Sequence, residues 1–94
     1  MPNNEEQQFD ACIGRFIELA NTMHGEEIPQ GVVSSALMTA SGIYATFVIS
    51  GNDGGLTDSG IDKVTDAYRG QLEQVQKLRK KQQERRASEA SSST

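Results

Sequence analysis

Along this chain, segments whose apolar residues recur every three or four positions are separated by short runs rich in glycine and polar residues. Such spacing belongs to a helix with one face on a core; alternation would have marked a strand. In EEQQFDACIGRFIELANTM, residues 5–23, a stripe of this kind joins Phe9, Cys12, Ile13, Phe16, Ile17, Leu19, Ala20 and Met23. Glu5 and Glu6 fall at the positive end of the helix dipole, and His24 and Gly25 supply a stop. Cys12, flanked on the stripe by Phe9 and Phe16, is expected to be a small buried thiol. Gly14 is the weak point, about 1 kcal/mol poorer than alanine unless a second backbone packs there.

HGEEIPQG, residues 24–31, reads as the turn into a second helix, because Pro29 cannot continue the first and suits the start of the next. No charge falls between Glu27 and Asp53. On a helical wheel Val33, Ala36, Leu37, Ala40, Tyr44, Phe47 and Val48 share one side, with Val32 and Ile43 at its edge. Ser35, Thr39, Thr46 and Ser50 form a hydroxyl stripe, and Ser34, Met38, Gly42, Ala45 and Ile49 a third strip of small residues with two large apolar ones. One apolar side needs one neighbour; this helix is expected to have two, with the small residues admitting a close backbone.

SGNDGGLTDSG, residues 50–60, is a turn by composition. Thr57, Asp58 and Ser59 are each suited to cap a third helix, and Ser59 with Asp62 imitates a capping box. That helix carries Ile61, Val64, Tyr68, Leu72, Val75 and Leu78. No large apolar residue follows Leu78, so residues 79–94 read as a basic helical extension ending in a disordered serine-rich tail. The expected fold is therefore all-α: a helical hairpin packed with a longer third helix, forming one domain over residues 1–78.

Composition changes little in this picture, but charge does. The net charge of −4 conceals nine acids against Arg15 alone in residues 1–62, and eight bases against four acids in residues 63–94. Such bipolarity favours antiparallel docking of the basic part on the acidic part, within one chain or between two. The basic run Lys77, Arg79, Lys80, Lys81, Arg85 and Arg86 reads as a solvated helix end, or as a contact for an acidic protein partner. Without interleaved aromatic residues, it is a poor nucleic-acid surface.

Cys12 stands alone, so no disulfide forms within the chain, and a reducing cytoplasm is the expected setting. The acidic, polar start lacks the basic and apolar regions of a secretory signal. Residues 32–50 have a mean hydropathy of roughly 1.5 and length enough to span a bilayer. Acidic flanks (Glu26, Glu27 and Asp53), six Ser or Thr, and the lack of Lys, Arg or paired aromatic belts argue instead for enclosure by protein.

No catalytic constellation is visible, and no cofactor or metal is called for. His24 reads as a helix-end residue, and Cys12 has no base nearby. In the glycine-rich loop, Asn52, Asp53 and Asp58 do not fit the alternating oxygens of a calcium loop, and the GK[ST] ending of a phosphate cradle is missing.

FDACIGRFIELANTM followed by VSSALMTASGIYATF resembles a family of small bacterial proteins of unknown function, which pair an F-I-x-L-A-N helix with a V-S-x-x-L-M-x-A helix ending in aromatics. The match rests on Phe16, Ile17, Leu19, Ala20 and Asn21, then on Val33, Ser34, Leu37, Met38, Ala40, Tyr44 and Phe47, within residues 9–48. In the family an Arg and an Asn often flank the aromatic of the second helix, where this chain has Ile43 and Ala45. The resemblance implies a helical cytoplasmic protein without catalytic residues to carry over, and a polar site lost here if relatives have one.

The reading that follows is a small, non-catalytic interaction protein that self-associates as a dimer through Ser34, Met38, Gly42, Ala45 and Ile49. Its rival is a small-molecule or enzymatic site in the groove between the first two helices, around Asn21, His24 and Tyr44.

Overall fold

The structure, a computed structural model, describes residues 4–51 and 54–92. Asn52 and Asp53, weighed above as calcium oxygens, lie outside the described residues, as does the end of the serine-rich tail. Three helices and no strand occur among the described residues: α1 (Asn4–Gly25), α2 (Gln30–Ser50) and α3 (Asp58–Ser92). The all-α expectation holds, with each helix where its apolar spacing placed it. Two units divide the chain, Met1–Val48 and Ile49–Thr94.

In the first unit, α1 opens with Glu5 and Glu6 in its first turn and ends with His24 in its last. The Glu26 N–H reaches the carbonyls of Thr22 (3.2 Å) and Met23 (3.0 Å), and the Glu27 N–H that of His24 (3.1 Å). The stop differs in one respect from its sequence signature. Gly25 is still helical, and the left-handed turn residue is Glu27, at φ 69°. An L side chain in that conformation is strained, because its Cβ crowds the backbone carbonyl.

His24 Nδ1 donates to the Ile28 carbonyl at 3.0 Å, tying the far side of the turn back to the end of α1. The Pro29 carbonyl then receives the N–H groups of Val32 (3.0 Å) and Val33 (3.2 Å), which starts α2. A residue without an N–H loses nothing at such a position, since the first N–H groups of a helix have no internal partner.

Burial in this unit gathers at the turn. Val33, at 8% exposure, is the one buried residue among those described, and Ala20, Met23 and Ile28 are half-buried. Two expectations are corrected here. Cys12 is exposed, not a buried thiol. The Leu37, Tyr44 and Phe47 side of α2, expected to be a covered face, is exposed too. A four-residue connection forces two helix ends together, and most of the apolar residues this unit covers lie there, with Ala45 half-buried farther along α2. Gly14 likewise meets nothing that a Cβ would touch within 4 Å.

In the second unit, Gly51 (φ 72°) and Gly54 (φ 99°) adopt the left-handed backbone that glycine accepts without strain. Gly51 follows the last residue of α2 and ends it in the usual way. The Ser50 hydroxyl donates to the Gly55 carbonyl at 3.2 Å. Of the three candidate caps for α3, Thr57 takes the role: its Oγ1 accepts the Gly60 N–H at 3.2 Å, and its carbonyl accepts the Ile61 N–H at 2.9 Å. Ser59 already lies inside the helix, so the box with Asp62 does not form; its hydroxyl stands 3.2 Å from that of Thr57. Leu56 covers the start of the helix, its side chain 3.5 Å from where a Cβ on Gly60 would be.

Beyond the cap, Ile61, Tyr68, Leu72, Val75 and Leu78 are exposed and Val64 is half-buried. Arg69 and Glu73 approach to 3.7 Å on the exposed surface, a pair worth well under about 1 kcal/mol. The helix continues past Leu78 through the basic residues.

Candidate functional site

With so little covered, the surface of α2 is where function has to be sought. Its 21 residues contain no charged side chain, and no other described helix is long and apolar enough to cross a membrane. Over an 18-residue window its mean hydropathy is 1.7.

The strip expected to be an interface comprises exposed Ser34, Met38, Gly42 and Ile49 with half-buried Ala45. Met38 is 59% exposed and Ile49 57%. A Cβ built on Gly42 would meet nothing within 4 Å, so the close approach that glycine allows is left unused within the chain. Thr46 donates its hydroxyl to the Gly42 carbonyl at 2.8 Å. Such a bond satisfies the hydroxyl along its own helix, so this part of the surface can be enclosed without stranding a donor.

A second feature of α2 was not singled out from the sequence. Pro29, Val32, Ala36, Thr39, Ala40 and Ile43, with Gly31 and Ser35, line an open, mainly apolar groove. None of the interface strip belongs to it. The signal was there in the three-and-four spacing of Val32, Ala36, Ala40 and Ile43, where small residues between larger ones leave a hollow. Being open, the groove suits another helix better than an enclosed small ligand.

Asn21, His24 and Tyr44 do not line the groove; Asn21 is exposed and Tyr44 is 71% exposed. His24 is occupied by its bond to the Ile28 carbonyl, a structural task at the turn. Among the described residues, no three His, Cys, Asp or Glu gather where they could hold a metal ion.

No curated protein and no solved structure matches the chain. A family model, described as protein of unknown function (DUF3144), matches residues 9–75. It takes in the motif pair of the first two helices and continues along α3 as far as Val75, leaving the basic extension outside. The chain therefore belongs to the DUF3144 family of proteins of unknown function.

Proposed function

We propose that this protein is a small, non-catalytic helical interaction protein that self-associates as a dimer through the Ser34, Met38, Gly42, Ala45 and Ile49 strip. One observation carries the reading: α2 has no charge in its 21 residues, yet Val33 is the one residue of it that the chain buries. Each large apolar side chain fully removed from water contributes about 1.5–3 kcal/mol. A contiguous apolar surface left exposed is the usual mark of an interface. Open space at Gly42 and the self-satisfied Thr46 hydroxyl suit the strip to helix–helix contact. A strip that meets its own copy about a two-fold axis forms a closed dimer.

The test is Met38→Glu combined with Ile49→Glu. Light scattering should give a dimer for the wild type and a helical monomer for the double variant, because the new carboxylates then face water. A wild-type monomer, with a double variant that loses its circular dichroism signal, would mean that the strip is covered within the chain.

A second reading is favoured by the hydropathy of α2, which reaches that of a membrane-spanning helix. Acidic flanks and the lack of basic residues beside α2 weigh against it. Recovery of the protein only in carbonate-washed membranes would replace the first reading with this one.

A further inference from the structure

The apolar stripe of α3 lies well away in sequence from the α2 strip and carries an inference of its own. Ile61, Val64, Tyr68, Leu72, Val75 and Leu78 are spaced by three or four over about 26 Å of helix, close to the 3.5-residue period of a two-stranded coiled coil. All but half-buried Val64 are exposed. We propose that this stripe is a docking surface for the same helix of a second copy of this chain, in antiparallel orientation.

Three observations favour this occupant. First, the spacing nearly mirrors itself. Reversing one copy brings Ile61 level with Leu78 of the second, Val64 with Val75, and Tyr68 with Leu72, so every large residue meets another. Secondly, the line of the stripe is continued by Arg79 and Arg86, one and two heptads beyond Leu72. A parallel pair would stack each arginine against its own copy across the seam. In the antiparallel pair the arginines move to opposite ends, and Arg79 comes level with the first turn of the second copy, where Asp58 stands. Thirdly, the stripe is uncovered. Five of its six residues stand open to a partner, from Leu72 at 43% exposure to Leu78 at 60%.

The inference rests on the reading of the chain as self-associating but not on the α2 strip. In a Cys12→Ser background, chains carrying Ile61→Cys and chains carrying Leu78→Cys are oxidised separately and as a mixture. Mixing should give a disulfide-linked heterodimer, while each variant alone stays largely uncrosslinked. Circular dichroism checks that the variants remain helical. A dimer linked through Ile61→Cys alone would show parallel pairing and overturn the proposal. A wild-type dimer with no crosslink in the mixture would also overturn it, while leaving the α2 strip standing. A crosslink that persists in the Met38→Glu, Ile49→Glu background would sustain the α3 seam as a contact formed independently of the α2 strip.

Discussion

Helices α2 and α3 both leave large apolar side chains in water, but they distribute them differently. In α2 large apolar residues occupy two faces, the Leu37, Tyr44 and Phe47 side and the Met38 and Ile49 strip, with a hydroxyl stripe between them and no charge from Gln30 to Ser50. On α3 they keep to one stripe, while Asp62, Lys63, Asp66, Arg69, Glu73 and Lys77 cover the remaining sides. A helix with two apolar faces needs more than one neighbour, whereas a single stripe needs one partner. How the exposed residues are spread around the helix thus says more about what covers them than how many there are.

A glutamate scan would break or sharpen this contrast, and the largest effect is expected there. On α2, Met38→Glu, Thr39→Glu and Ala40→Glu place a charge on three different sides. If the helix is enclosed by protein, each should destabilise the assembly by more than about 2 kcal/mol, since an unpaired charge is then taken out of water. On α3, Leu72→Glu should cost as much, but Gln74→Glu, off the stripe, less than about 0.5 kcal/mol. Thermal denaturation followed by circular dichroism reads all five. Tolerance of glutamate on two sides of α2 would reduce it to a one-partner helix like α3.

The next effect concerns how α3 begins. Thr57→Ala removes the acceptor of the Gly60 N–H and should cost about 1 kcal/mol, while Ser59→Ala should cost no more than a few tenths. Equal losses in urea titrations of the two variants would show that the cap is shared.

The smallest effect is a gain, at the other joint. Glu27 is held at φ 69° in the turn after α1, so Glu27→Gly should stabilise the protein by about 0.5 kcal/mol by relieving a strained left-handed residue. Lower stability of this variant would mean that the Glu27 carboxylate makes a compensating contact.

Local pattern was enough to locate all three helices. The stripe from Phe9 to Met23, the uncharged run from Val32 to Ser50 and the series from Ile61 to Leu78 each lie in the helix they implied. Caps were harder to read. Thr57, Asp58 and Ser59 are adjacent residues of similar capping power, and only the path of the backbone selected Thr57. At the end of α1 the glycine was visible, but the left-handed position went to Glu27, two residues later, where His24 and Ile28 close the turn.

Burial could not be read in this way. Apolar period tells which residues would share a face, because that follows from the 3.6-residue repeat of each helix alone. Whether anything lies against that face depends on a second surface, which periodicity does not contain. Cys12, Leu37, Tyr44 and Phe47 were therefore assigned to covered positions, and the tertiary structure leaves each of them exposed while burying Val33, beside the turn. Sequence alone determined the helices and their faces, since both arise from contacts a few residues apart. Only the tertiary structure decided which residues of the first unit are covered, Val33 beside the turn above all, because burial depends on which surfaces the connection between α1 and α2 brings together.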